Sequence, residues 1–225
     1  MFLWRLLFVF ILVVILGYLT LSLTAPSKNT LPDLQTGDVL LQPAWSSQAL
    51  AIMLASGSLI THTGFVERSA DGTLWVHEAN GPVQRVPLME WIDRGIASRV
   101  TILRDANITA AEQQALVAYA TKESGKPYDW FFRDDDSELY CSEFIYDAYA
   151  VATGTGLGTP QRVGDLALNN FAVQDILRER LGAHPDCAGL TPDACYARVM
   201  DQTLITPAAL ATDDRAQTIY SNLLF

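Results

Sequence analysis

Between Gly37 and Arg104 the sequence offers a succession of short strand candidates, several joined by turns too tight for a crossover helix. Gly37-Asp38 introduces Val39–Gln42, which reads as a buried strand. His62–Glu67, Thr73–Ala79 and Val83–Val86 follow, separated by the turn signals Ala70-Asp71-Gly72 and Asn80-Gly81-Pro82. Another strand, Arg99–Arg104, is expected after a short helix around Leu88-Met89-Glu90-Trp91-Ile92. Strands joined this way pair antiparallel, because parallel neighbours need long connections.

The helices expected to cover that sheet announce themselves by caps and apolar spacing. Ser46 caps a helix to Ala55 with a stripe of Leu50, Met53 and Leu54. Thr109 and Glu112 form a capping box ahead of Leu116, Tyr119 and Ala120. The loop Gly125–Glu138 is rich in Asp and aromatic residues, and Cys141 opens the next helix. Its Asp134-Asp135-Asp136 run lacks calcium-loop ligand spacing and reads as solvated. From Thr159 the tail is expected to be mostly helical, with amphipathic stretches at Phe171–Leu181 and after Pro207. The expected fold class is α+β, an antiparallel sheet packed against segregated helices.

Leu6 to Leu23 carries no charge and is almost wholly apolar, at the lower limit of the ~17–25 residues that span a bilayer. A signal peptide is the alternative, but its apolar core is usually only ~7–15 residues long. A cut after Ala25 would also leave Pro26 beside the scissile bond and Leu23 at a position that favours small residues. Residues 1–24 are therefore expected to be a transmembrane anchor or signal segment, 25–33 a linker, and 34–225 one domain with a helical C-terminal extension. Arg5 on the short side predicts a single-pass bacterial inner-membrane protein with its body on the periplasmic side; secretion after signal cleavage is the alternative. The net charge of -10, with no basic cluster, argues against nucleic acid as a partner.

The three cysteines fit export. Cys187 and Cys195 flank a loop holding Gly189 and Pro192, and a disulfide between them is expected in an oxidising compartment. A zinc site built from them and His184 lacks a fourth ligand, so no metal and no cofactor is expected. Cys141 is left as the odd thiol. It shares a helix face with Phe144, Ile145, Ala148, Tyr149 and Ala152, in the first turn, where the helix dipole favours a thiolate. A buried structural cysteine would show the same pattern.

His62 is the candidate base. On a strand it shares a face with Gly64 and Val66, and the glycine leaves room for another group to approach. His77 and His184 are its competitors. His77 and Glu78 lie on opposite strand faces, so only one of them can join His62, and alternation does not choose between them. A carboxylate is the better orienter of an imidazole.

Taken in series, Gly37-Asp38-Val39-Leu40, His62-Thr63-Gly64-Phe65-Val66, Val76-His77-Glu78-Ala79, Gly125-Lys126-Pro127-Tyr128-Asp129 and Tyr140-Cys141-Ser142-Glu143-Phe144 resemble the YiiX/YaeF-like family, circularly permuted relatives of NlpC-type papain-like amidases. Ile205-Thr206-Pro207-Ala208-Ala209-Leu210 is similar to that family's closing segment, so the likeness runs from about Leu34 to Leu210. The resemblance implies a permuted papain-like fold with Cys141 as nucleophile, His62 as base and Glu78 as orienting acid. Tyr140 and Tyr128 are candidates to line the substrate site, and the Cys141 backbone N–H is a candidate oxyanion donor. The implied activity is hydrolysis of an amide bond, in cell-wall peptides or small amino-acid amides, through a thioester. One alternative is lipid acyl transfer or thioester hydrolysis, as in lecithin:retinol acyltransferase-like proteins. Their Asn-Cys-Glu-His-Phe run is Tyr-Cys-Ser-Glu-Phe here. Another is a non-catalytic module that binds an amine or a peptide.

Overall fold

The computed structural model of the chain describes residues 2–23, 26–27, 30–133, 135 and 137–223. In chain order the elements are α1 (Phe2–Leu23), β1 (Val39–Gln42), α2 (Ser47–Ser56), β2 (His62–Arg68), β3 (Leu74–Ala79), β4 (Val83–Pro87), α3 (Leu88–Arg94), β5 (Thr101–Asp105), α4 (Ala110–Lys122), α5 (Cys141–Thr153), β6 (Gln161–Arg162), α6 (Phe171–Ala183), α7 (Pro192–Asp201), β7 (Thr203–Leu204), α8 (Pro207–Leu210) and β8 (Ala216–Ser221). Six strands form one sheet in the order β4-β3-β2-β1-β5-β8, and every neighbouring pair in it is antiparallel. β6 and β7 make a separate two-stranded pair.

The central strand β1 is buried at all four positions, because helices cover both sheet faces. Val39, Leu41, Phe65 and Leu103 pack against Leu116 of α4 and Phe144, Ile145 and Ala148 of α5. Leu40, Val66, Val76 and Ile102 pack on the other side against Leu88, Trp91 and Ile92 of α3. Each such side chain contributes roughly 1.5–3 kcal/mol when fully buried. Asp38, wholly buried, accepts both Nε and Nη2 of Arg104 at 2.7 Å, and Tyr149 Oη donates to the Gly37 carbonyl at 2.7 Å. The Gly-Asp motif thus ties β1 to β5 and to α5.

Gly64 answers to a steric demand. A Cβ there would sit 2.6 Å from Val76 Cγ1 and 2.8 Å from the His77 carbonyl oxygen. Any side chain at this position would force β2 and β3 apart, beside the strand start that carries His62.

Several expectations need correcting. Leu50 is 43 % exposed, and α2 instead buries Ala49 and Ala51, while Ser46 caps it by accepting the Ala49 N–H. The helix expected after Pro207 is a single turn, α8, and β8 follows, closing the sheet edge on β5 with a register shift between Ile102 and Leu103. β8 is half-exposed, so its sequence lacks the clean apolar alternation that marks a strand. α7 was also not expected, although Thr191 at its N-cap and Pro192 in its first turn are ordinary helix-start signals. Cys187 and Cys195 are disulfide-bonded.

α1 carries the N-terminal apolar run as a helix, with Trp4 and Phe8 among its exposed side chains. Among the described residues no helix is long and apolar enough to cross a membrane. The anchor expected from the sequence is therefore not established by the fold. The alternative cut after Ala25 lies outside the described residues.

Candidate active site

Cys141 is the first residue of α5, where the sequence gives the helix a firm start. The Glu143 carboxylate accepts the Tyr140 N–H at 3.1 Å. Ser142 Oγ donates to the Ile205 carbonyl at 2.7 Å, and Tyr140 Oη accepts the Ile205 N–H at 2.9 Å. Phe144 stacks on Phe65 of β2 with ring centroids 5.9 Å apart. These contacts clamp the α5 start between the sheet and the segment before α8. Cys141 is the free cysteine, and it is buried.

His62 begins β2. Its ring stacks on Trp91 at 5.7 Å, and Nε2 lies 2.7 Å from Glu78 Oε2. The Cys141 thiol is the other neighbour of this imidazole, near enough that each shifts the proton affinity of the other. Glu78 is completely buried, and its other oxygen accepts Gln84 Nε2 at 2.9 Å and Arg94 Nη2 at 2.6 Å. The structure therefore joins His62, Glu78 and Arg94 in one chain of hydrogen bonds, with the Cys141 thiol beside the imidazole.

The electrostatics follow from that chain. Burial opposes charge on every member, yet the partners prevail. For His62, burial alone would lower the imidazole, but the hydrogen bonds and charges of Cys141 and Glu78 raise it to about 9. Burial would raise the Cys141 thiol, but His62, the Tyr128 hydroxyl and the Ser142 N–H bring it below its usual value. Burial would likewise raise Glu78, and His62 and Arg94 hold it below the usual carboxylate range. A thiolate facing an imidazolium is the arrangement these shifts favour.

The competing histidines are accounted for. His77 stacks on Phe65 at 5.1 Å and lies 2.6 Å from Glu67, which Arg85 also holds. The β2–β3 register pairs His77 with Phe65, so it belongs to the sheet face away from Val66 and Val76. Burial, helped by the Arg85 charge, pushes its imidazole below the usual value despite Glu67. His184 lies before a short turn ahead of α7, where Nδ1 accepts the Asp186 N–H at 3.2 Å.

The two tyrosines differ. Tyr128 Oη accepts Gln48 Nε2 at 3.4 Å and lies near the Cys141 thiol, whose proton affinity it lowers. Burial and the neighbouring thiolate push its hydroxyl well above the usual value, so it stays a donor. Asp129 shapes the loop beneath it by accepting the N–H groups of Phe131 and Arg133. Tyr140 borders the cavity beside Cys141 with its ring, but its hydroxyl is committed to Ile205.

Arg94, Gln84 and Gln48 were not singled out from sequence. Their partners lie in other elements, and no local motif marks them.

Two cavities border this site. A mixed cleft of about 360 Å³ is bordered by His62, Tyr128, Gln48, Asn80, Trp45 and Trp130. An apolar cavity of about 130 Å³ is bordered by Cys141.

Residues 33–220 match a family described as permuted papain-like amidase enzyme, YaeF/YiiX, C92 family. Over 165 residues the chain is 35% identical to the uncharacterized protein YiiX of Escherichia coli K12, covering 73% of this chain and 80% of that protein. The crystal structure of metalloprotein YiiX from Escherichia coli O157:H7 superposes with a TM-score of 0.75 at 31% identity, covering 84% of this chain and 98% of that one.

Proposed function

This chain belongs to the permuted papain-like amidase family, and on that premise we propose a hydrolase in which Cys141 is the nucleophile, His62 its base and Glu78 the group that orients His62. The observation that carries the reading is the buried His62–Glu78 hydrogen bond, with Arg94 behind it and the Cys141 thiol beside the imidazole. The thiolate attacks the substrate carbonyl carbon and forms a C–S bond. The carbonyl oxygen takes the negative charge, facing the Cys141 N–H and the Tyr128 hydroxyl. His62 gives its proton to the leaving amine as the C–N bond breaks, which leaves a thioester on Cys141. His62 then takes a proton from water, whose oxygen attacks the thioester. The C–S bond breaks, a carboxylic acid leaves, and the thiolate–imidazolium pair is restored.

The substrate class that suits this chemistry is an amide whose amine side is a peptide or an amino acid, including cell-wall peptides. The cleft beside His62 supports that reading, since it sets the side-chain amides of Gln42, Gln48 and Asn80 among aromatic and aliphatic walls. We place the domain outside the cytoplasm, tethered by α1. The Cys187–Cys195 disulfide and the uncharged run from Leu6 to Leu23 support this. Intact mass of the membrane-fraction protein checks it: a chain retaining residues 1–25 is expected, and a chain cut after Ala25 contradicts the tether.

The related crystal structure is described as that of a metalloprotein. Here, among the described residues, no group of three or more His, Cys, Asp or Glu side chains is placed to hold a metal ion. His62 Nε2 and both Glu78 oxygens are already engaged by protein. The residues present do not form a metal site, and no step is routed through one.

The account predicts a bell-shaped pH profile for kcat/KM. Activity rises as Cys141 loses its proton, below the usual thiol range, and falls as His62 loses its own near pH 9. Glu78→Gln keeps an acceptor for His62 but removes the charge that raises its pKa, and Arg94 stays as an uncompensated cation. Both limbs are expected to move to lower pH, since the added positive charge disfavours the imidazolium and favours the thiolate, so the whole bell shifts toward acid. Unchanged limbs in Glu78→Gln would exclude the orienting role.

A further inference from the structure

We propose that Arg180 and His184 form a carboxylate subsite in the cavity beside Cys141, so that the acyl half of the substrate ends in a carboxylate; the inference rests on the thiol-hydrolase reading above. In that reaction His62 protonates the leaving amine, so the amine lies on the His62 side and the acyl group extends to the other side of the thiol. There α6 and the residue just after it border the cavity with Val173, Ile176, Leu177, Arg180, Leu181 and His184, spaced so that they share one face. The face is apolar over its first turns, and its two nitrogen-bearing side chains come at its end. At about 130 Å³ the space is close to the ~150 Å³ cavity that admits a benzene-sized guest, room for a dicarboxylic acyl group of about four or five carbons.

The protein satisfies neither group. His184 is 6 % exposed, and its Nδ1 accepts the Asp186 N–H at 3.2 Å, which leaves the ring proton on Nε2. Burial pushes the imidazole below its usual value, so the ring stays neutral. The buried Nε2 has no hydrogen-bond partner among the described residues. Gln202 lies beside the ring without completing a hydrogen bond to it, and its own N–H groups go to the Phe131 and Phe132 carbonyls. Arg180 is half-buried, with its guanidinium carbon 5.0 Å over the Phe132 ring. Stacking leaves the in-plane N–H groups free, and among the described residues no carboxylate pairs with them. Asp129 and Glu179 act on this cation only through space, and Asp129 spends its oxygens on the Phe131 and Arg133 N–H groups. Burial opposes the charge, yet a guanidinium keeps its proton. A half-buried cation and a buried N–H donor, both without acceptors, call for a ligand that only accepts. A carboxylate is that ligand, and a guanidinium can hold it with two parallel hydrogen bonds.

The test uses the full chain and two chloromethyl ketones of equal length, Cl–CH2–CO–CH2–CH2–COO⁻ and its neutral amide, Cl–CH2–CO–CH2–CH2–CONH2. Cys141 sulfur displaces chloride, an S–C bond forming as C–Cl breaks, so the rate is read without any amide turnover. The carboxylate reagent is expected to inactivate at least about tenfold faster than the amide. The net charge of -10 repels anions in general, so such a preference reports a local cation. Arg180→Met keeps the length of the side chain and removes its charge, and is expected to abolish the preference. Taking the ratio of the two reagents within each protein cancels any change in the thiol itself. Should that variant not fold, His184→Phe keeps a ring, removes the Nε2–H, and is expected to lose part of the preference. A wild-type ratio that falls short, or one that a folded variant keeps in full, overturns the proposal. A carboxylate preference in a chain that hydrolyses no amide leaves the subsite standing and rejects the hydrolase reading instead.

Discussion

Replacing Cys141 with Ala is expected to lower kcat for amide hydrolysis by at least about 10⁴-fold, to the level that binding and oxyanion contacts sustain alone. Nothing else near the site can take over. Among the described residues Cys141 is the free thiol, and the adjacent Ser142 Oγ is bonded to the Ile205 carbonyl. The substitution removes one sulfur from a buried position at a helix start held by Glu143, Tyr140 and Phe144, so the fold is expected to persist. Circular dichroism checks the fold and a discontinuous amine-release assay checks the rate. A variant that folds and keeps more than a hundredth of the wild-type kcat would show that Cys141 is not the nucleophile.

The second large effect concerns the pair. His62→Ala is expected to slow alkylation of Cys141 by iodoacetamide at pH 6 about a hundredfold and to abolish turnover. The imidazole is the foremost influence that opposes burial and keeps the thiol below its usual value. Without it, burial in apolar surroundings drives the thiol up, and at pH 6 an unassisted thiol holds well under 1 % thiolate. Glu78 keeps Arg94 and Gln84 as partners in this variant, so the buried carboxylate is not orphaned. Raising the pH to 10 should recover much of the alkylation rate, because bulk hydroxide then does what His62 did. It should not recover turnover, which also needs a proton for the leaving amine. Equal alkylation rates at pH 6 in the two proteins would contradict the thiolate–imidazolium pair.

Legibility from sequence tracked locality. The start of α5 at Cys141, the strand from His62 and the Thr109 capping box each depend on residues a few positions apart, and each is where the spacing placed it. The choice between His77 and Glu78 could not be made from alternation, since both faces of β3 carry a histidine–carboxylate contact. It is set by register: Phe65 opposite His77 leaves Glu78 on the face that His62 reaches past the side-chain-free Gly64. Arg94 joins Glu78 only because α3 folds over that face, a contact no local pattern encodes. β8 pairs with a strand more than a hundred residues earlier, and its half-exposed face blurs the period-two signal. The apolar cavity was the least legible, because its wall is assembled from α2, the loop before α5 and the C-terminal extension. A Leu or Val on α6 reads as ordinary helix packing until the space beside Cys141 is seen.

The most direct test of the proposed mechanism is to trap the acyl group on Cys141. An amide substrate mixed with a stoichiometric amount of the full chain, then quenched in acid within one turnover, should give an intact-mass increase equal to its acyl group less one hydrogen. Peptide mapping should place it on Cys141, and the adduct should decay as free acid appears. Amide hydrolysis at wild-type rate with no acylated Cys141 at any quench time, or with the acyl group on another residue, would contradict the account.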